Sequence, residues 1–193
     1  MKLRTLLFAL LVAAAVAAHG QELSGSVILV AKPALKDAIY GSTVLIVTPL
    51  GADQHAGFIV NRPTDVSLGQ IFPDDGPSQK ITDPVYFGGP FGAQVIFALV
   101  ERSTSPGGKS FEVVPGLYAA FDAETVDRII VAESDRARFV HGLVVWQAGE
   151  LQAEIDRGFW YVLAPDAHLA LQKPTQDLWE NLVRASVLRR NSI

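Results

Sequence analysis

A chain of 193 residues, 49% hydrophobic and 19% charged, can bury the core of one domain, which excludes a mainly disordered protein. Its 16 Lys and Arg against 20 Asp and Glu give a net charge of −4, which disfavours nucleic acid as a partner. The absence of Cys excludes disulfides and thiolate metal sites.

The first twenty residues have the three parts of a secretory signal. A positively charged start precedes thirteen uncharged apolar residues, Leu6 to Ala18, and Ala18-His19-Gly20 offers small residues for cleavage. Thirteen helical residues span about 20 Å, short of the roughly 30 Å hydrocarbon core of a membrane. The sequence therefore predicts a signal peptide over 1–20, a single mature domain over 21–193, and a periplasmic or secreted location. The alternative is an uncleaved N-terminal membrane anchor facing the periplasm; the mature chain itself contains no stretch that could span a membrane.

The first half of the mature chain combines short apolar runs with turns. Strands are predicted where β-branched and apolar residues concentrate, and a helix where a capping residue precedes an apolar run. The predicted strands are 26–31, 43–48 and 56–60. One or two helical turns are predicted over 33–40, and a short helix runs from the Ser67 cap to residue 72. Residues 49–54 are predicted to turn, and 73–84, rich in Pro, Asp and Gly, to form a loop.

The second half contains a strand that is apolar on both faces, 138–146, which we expect at the centre of a sheet. Further strands are predicted at 94–101, 117–121 and 159–163, and a loop at 103–110. Helices are predicted from the Asp122 cap to 132 and over 147–156, 166–172 and 175–189. Strands and helices do not alternate regularly, and consecutive strands follow short loops. This pattern predicts an α+β protein with antiparallel pairing.

Four segments of the mature chain, in this order, match a known pattern. They are Ser26–Ala31 with Pro33, Ala34, Leu35 and Asp37; Gly57–Pro63; Phe87–Pro90; and Gly142–Trp146 with Gly149–Ile155, Trp160 and Ala164–Asp166. In these segments, and over about residues 23–186, the chain resembles the AlgH/YqgE family of bacterial proteins. The resemblance implies an α+β fold in which a bent antiparallel sheet forms a pseudo-barrel with helices packed outside. It implies no established enzyme activity, and the signal-like start departs from family members, which are regarded as cytosolic.

Six residues are candidate ligand contacts: Asn61, Arg62, Gly88, Gly89, Trp146 and Glu150. An Asn amide and a guanidinium at the end of a strand could bind a carboxylate or a phosphate. The alternative is that Asn61-Arg62-Pro63 anchors a loop. Gly88-Gly89-Pro90 lacks the Lys-Ser/Thr of a phosphate-binding loop and is interpreted as a turn.

Two tryptophans and two glutamates form the other candidate groups. Trp146 is expected to be largely buried, and Trp146 and Trp160 are interpreted as core or groove-wall residues. Glu150 and Glu154 lie one helical turn apart on one face. Such a pair could do acid–base work, or it could simply be a solvated helix flank.

Recognisable catalytic and metal-binding motifs are absent from the sequence. His55, His141 and His168 have no second ligand at metal spacing. There is no Gly-x-Ser-x-Gly elbow, and no Ser, His and Asp segments stand out as a triad. We therefore expect no metal, no cofactor and no catalytic residue.

Three functions remain as hypotheses. The first is an exported, non-enzymatic binding or regulatory module with a protein or small-molecule partner. The second is a small-ligand-binding protein or hydrolase that uses the Asn61-Arg62 cluster with His55 and Glu150. The third is a transcriptional regulator, as the family label suggests. The net charge, the export signal and the lack of a helix-turn-helix pattern weigh against the third.

Overall fold

One curled sheet of ten strands organises the protein; the computed structural model describes Leu23 and residues 25–190. The strands are β1 (Val27–Ala31), β2 (Val44–Gly51), β3 (Gln54–Ile59), β4 (Pro63–Ser67), β5 (Pro84–Phe87), β6 (Phe91–Glu101), β7 (Ser110–Val114), β8 (Leu117–Ala120), β9 (Ala137–Trp146) and β10 (Trp160–Leu163). The helices are α1 (Leu68–Ile71), α2 (Ala123–Ala132), α3 (Glu150–Asp156), α4 (Ala167–Leu171) and α5 (Leu178–Arg190). Single 3₁₀ turns lie at Ser78–Lys80 and Ser134–Arg136. The predicted signal peptide, 1–20, lies outside the described residues.

The order of the strands confirms the predicted fold class. The main path runs β10-β1-β2-β3-β9-β6-β8-β7, and every pair along it is antiparallel. Strand β5 lies off this path and pairs with β4 and, in parallel, with β9. The result is an α+β domain whose bent, mainly antiparallel sheet forms a half-barrel. No helix among the described residues is long and apolar enough to cross a membrane.

Strand β9 is central, as its two apolar faces predicted. It pairs with β3, β5 and β6. Its side chains enter three separate clusters of buried residues, represented by Val140, Phe139 and Trp146. A strand that contributes to three clusters needs apolar residues on both faces, which explains the pattern in the sequence.

Beside β9 the sheet branches, because β9 pairs with both β3 and β5. We call this point the fork, and glycines make it possible. Gly88 donates its N–H to His141 O across 2.9 Å and accepts from Ile59 N across 2.9 Å, so its backbone bridges β3 and β9. Gly142 has φ of 69°, and a Cβ there would lie 2.2 Å from Gly89 O. Only glycines allow these backbones to approach so closely.

One buried arginine ties the sheet to the C-terminal segment. Arg138 is 2% exposed and donates to Val60 O and to Gln172 O, each across 2.7 Å. Its guanidinium carbon lies 4.2 Å from the centroid of the Tyr86 ring. Burial lowers the pKa of Arg138 from its ordinary value, although the nearby Tyr86 and Asp83 act in the opposite direction. The cation is thus held by carbonyl oxygens and an aromatic face.

Some local predictions are wrong. Residues 33–40 form turns rather than helix, because Asp37 Oδ1 accepts the backbone N–H groups of Ile39 and Tyr40, each across 2.8 Å. The prediction also missed β4, β5 and β7. Strand β4 starts at a proline and is mostly exposed, so it lacks the apolar signal of a strand. The Asp122 cap is confirmed, since its Oδ1 accepts from Thr125 N across 3.1 Å.

Candidate functional site

A cleft of about 440 Å³ lies where β9 ends and α3 packs against the sheet. The residues that line it come from the turn before β2, from β9, from α3 and its C-cap, and from β10: Tyr40, Val144, Val145, Trp146, Glu150, Ala153, Glu154, Arg157 and Trp160. Those that α3 and its cap contribute are spaced three, four and seven residues from Glu150. This spacing places them on one helical face, so a whole stripe of α3 faces the cleft.

Helix α3 is positioned by its apolar residues and by Glu150. Leu151 is 1% exposed, and with Ile155 it packs into the buried cluster around Trp146 and Trp160. Glu150 Oε2 accepts from Gln147 N across 2.7 Å, which closes the turn between β9 and α3. The carboxylate of Glu150 therefore has a local structural role at the edge of the cleft.

Glu154 joins the two tryptophans of the cleft. Its Oε2 accepts from Trp146 Nε1 across 3.1 Å and from Trp160 Nε1 across 2.8 Å. The indoles themselves are 3% and 4% exposed. Two N–H donors on one charged oxygen fix the carboxylate in place and attach α3 to β9 and β10. Glu150 and Glu154 are therefore not simply solvated residues on the side of a helix, and they do not act as a pair. Each carboxylate accepts from different donors, Gln147 N for Glu150 and the two indoles for Glu154.

The second oxygen of Glu154 is open. Within the part of the chain that the structure describes, Oε1 makes no hydrogen bond and is not among the buried unpaired atoms. No ion pair involves Glu154 there either. The site therefore presents a fixed acceptor with nothing bound to it from the described residues.

Tyr40 closes one side of the cleft. Burial raises the pKa of its hydroxyl above the ordinary value of 10.0, and the negative charges of Glu154 and Asp37 raise it further. The hydroxyl is therefore neutral at physiological pH and can both donate and accept a hydrogen bond.

The six residues proposed from the sequence do not form one site. Trp146 and Glu150 line the cleft, whereas Asn61, Arg62, Gly88 and Gly89 are not among the described residues that line it. Asn61 Oδ1 accepts from Val44 N across 2.8 Å, and its Nδ2 donates to Ser42 O across 3.0 Å. The amide of Asn61 is thus engaged in anchoring the start of β2.

Arg62 and the glycine pair also have structural partners. The guanidinium carbon of Arg62 lies 5.9 Å from the centroid of the Phe87 ring, and its side chain is half-buried. Gly88 and Gly89 allow the backbone contacts at the fork beside β9, where a Cβ on Gly89 would lie 2.3 Å from the carbonyl carbon of Leu143. These contacts account for the residue types without a ligand.

The hydrolase hypothesis needs three residues that the structure places in different surroundings. His55 is 3% exposed on β3, opposite Trp146, and its Nε2 lies 3.3 Å from Leu23 O. Of His55, Arg62 and Glu150, only Glu150 lines the cleft. Within the described residues, no group of three or more His, Asp or Glu side chains is arranged to hold a metal ion.

Sequence reasoning missed two residues of the site, Tyr40 and Arg157, and it missed the bridging role of Glu154. The available signal was a glutamate flanked by two tryptophans, eight residues after Trp146 and six before Trp160. Sequence spacing could not show that both indole N–H groups point to one oxygen.

Comparisons with known proteins agree on one family. A family model described as AlgH-like matches residues 28–189. A UPF0301 protein of Chlorobaculum tepidum is 27% identical over 161 residues, covering 82% of this chain and 84% of that protein. One of Thermobifida fusca is 29% identical over 177 residues, covering 86% and 89%. These names state no activity.

Two solved structures share the fold. The solution structure of the AlgH protein from Pseudomonas aeruginosa has a TM-score of 0.67 at 23% identity, covering 82% of this chain and 86% of that one. The crystal structure of a protein from Corynebacterium diphtheriae has a TM-score of 0.69 at 20% identity, covering 83% and 85%. At these identities the likeness concerns the fold alone.

Proposed function

This chain belongs to the AlgH-like family, whose function is uncharacterised, and on that premise we propose that it is an exported, non-enzymatic module that binds a small ligand in the cleft at Glu154. The observation that carries the proposal is the carboxylate fixed by two buried indoles with one oxygen left open. The volume of the cleft, about 440 Å³, lies within the usual range of small-molecule sites, roughly 300–1,000 Å³.

The composition of the cleft supports binding over catalysis. Among the described lining residues of the cleft there is no Ser, Thr, His or Lys, so aliphatic hydroxyl and amine nucleophiles and the commonest general base are missing. The polar groups stand beside apolar and aromatic side chains, and most of them belong to α3 and its C-cap, while Tyr40 lies in the turn before β2. Such a rigid arrangement suits recognition of one small molecule.

The export part of the proposal rests on residues 1–20. We expect the mature protein to begin at or near Gln21, because the charged start, the apolar run and the small residues before it form a signal. Intact-mass measurement on protein from fractionated cells tests this. Full-length chain recovered from the cytosol would contradict export.

Filling the cleft should weaken ligand binding while leaving in place Glu154 and the two tryptophans that bind it. Ala153 is half-buried and lines the cleft, so Ala153→Phe places a ring where the ligand would lie. Ala185→Phe is the matched control, because Ala185 is exposed on α5. A thermal-shift screen against metabolites and nucleotides provides the ligands; one present at 100 times its Kd stabilises the fold by about 2.7 kcal/mol.

We expect each true ligand to lose at least about tenfold in affinity, or about 1.4 kcal/mol, on Ala153→Phe and to keep its affinity on Ala185→Phe. Hits that bind both variants equally would place the binding site elsewhere on the protein.

A further inference from the structure

Negative charge predominates in the cleft. Its described lining contains two carboxylates, Glu150 and Glu154, and one guanidinium, Arg157. Arg157 follows Glu154 by three residues, a spacing at which side chains on a helix can meet, yet no ion pair joins them. Glu150 already accepts from Gln147 N. Among the described residues, the carboxylate of Glu154 is therefore not paired with a cation.

The two oxygens of Glu154 have different tasks. Oε2 accepts two indole N–H groups, and these bonds hold the carboxylate so that it cannot turn to follow a ligand. Oε1 makes no hydrogen bond to any described residue and is not buried out of reach. A carboxylate oxygen with free lone pairs bonds most strongly to a donor that carries positive charge.

The remaining walls suit an ammonium group on a short apolar stem. The Tyr40 hydroxyl can accept one of the three N–H bonds of an ammonium. Its pKa, raised by burial and by the charge of Glu154, keeps the oxygen protonated and uncharged. Val144 and Ala153 offer apolar surface to carbon atoms that follow the nitrogen.

Building on the ligand-binding function proposed above, we infer that the ligand is a small amine whose ammonium group binds Glu154 Oε1. Carboxylates and phosphates are disfavoured, because they would lie against the fixed charge of Glu154. Neutral molecules would leave that charge uncompensated inside the cleft.

Three probes with one carbon skeleton test the inference: n-butylamine, n-butanol and butyrate, whose head groups are positive, neutral and negative at neutral pH. The readout is the ¹⁵N–¹H resonance of each indole, since Trp146 and Trp160 both donate to Glu154. The indole of Trp179 donates to Ala31 O and does not line the cleft, so its resonance is the internal control. We expect n-butylamine to shift the first two resonances and to leave that of Trp179 in place.

Two variants separate a specific contact from general attraction. Glu154→Gln keeps the size of the side chain and an acceptor for the indoles but removes the charge. Glu150→Gln removes an equal charge from the same cleft. Hydrogen bonds to charged groups are the stronger ones, so we expect Glu154→Gln to weaken n-butylamine binding about tenfold or more. Glu150→Gln should change it about twofold at most, as for an exposed charge.

The outcomes are distinct. Equal weakening by the two glutamine variants would overturn the assignment to Glu154. Shifts with butyrate or n-butanol, but none with n-butylamine, would leave a ligand-binding cleft and overturn the amine. If none of the three probes moves the two cleft resonances, both the amine inference and the binding function of this cleft are wrong.

Discussion

Trp146→Ala is expected to lower the free energy of unfolding by about 3–5 kcal/mol, the usual loss for a buried tryptophan. The indole is 3% exposed and packs with Leu151 and Trp160 in the cluster beneath α3. Its removal also takes one of the two N–H donors from Glu154. Such a loss is a large share of the roughly 5–15 kcal/mol that stabilises a domain.

Urea unfolding of three variants tests this expectation. Trp146→Phe keeps an aromatic ring but not the indole N–H, so it should fall between the wild type and Trp146→Ala. Arg62→Ala is the comparison from the other candidate cluster. Because Arg62 is half-buried with its guanidinium 5.9 Å from the Phe87 ring, we expect a loss of only about 0.5–1 kcal/mol. Equally severe losses for Trp146→Ala and Arg62→Ala would make Asn61-Arg62-Pro63 a structural centre of the fold.

Arg138→Ala is expected to cost about 2–4 kcal/mol. The change leaves the buried Val60 O without a donor, which costs about 1–3 kcal/mol by itself. It also removes the bond to Gln172 O and the contact with the Tyr86 ring. The guanidinium satisfies two carbonyls that lie far apart in the sequence, so no neighbouring side chain can simply replace it.

Two further variants show whether the loss of stability comes from the two hydrogen bonds that the guanidinium donates in fixed directions. Arg138→Lys keeps the charge but cannot donate in two fixed directions, so it should recover only part of the loss. Arg136→Ala is the matched control, because Arg136 is exposed and its side chain donates one hydrogen bond among the described residues, to Glu101 O. We expect it to stay within about 1 kcal/mol of the wild type. If chemical denaturation ranks Arg136→Ala as severely as Arg138→Ala, burial is not the reason for the effect.

Features decided by local pattern could be predicted from the sequence. The two apolar faces of β9 indicated its central position, and Asp122 indicated the start of α2. Leu151 and Ile155, one turn apart, have the spacing of a helix, and both pack into the cluster beneath α3. In each case the residues that give the signal are close together in the chain, and solvent exclusion acts on them directly.

Features decided by distant partners could not be predicted in this way. Asn61 bonds the backbone of Val44, 17 residues earlier in the chain, and no motif marks that pairing. Glu154 looked like a solvated residue of a helix, because the two indoles reach it from β9 and β10. Arg138 gives a partial signal, because it is a charged residue in a mainly apolar strand. The sequence does not identify the two carbonyls that it binds, which only the fold shows.

The central position of β9 has a consequence for how the chain is made. Strands β3, β5 and β6 each need β9 as a neighbour, and β9 ends at residue 146, about three quarters of the way along the chain. Before that point is synthesised, these three strands lack a neighbour that each has in the complete fold, and pairing over such long sequence separations is slow. The ten-stranded sheet therefore cannot be completed until about three quarters of the chain has been made.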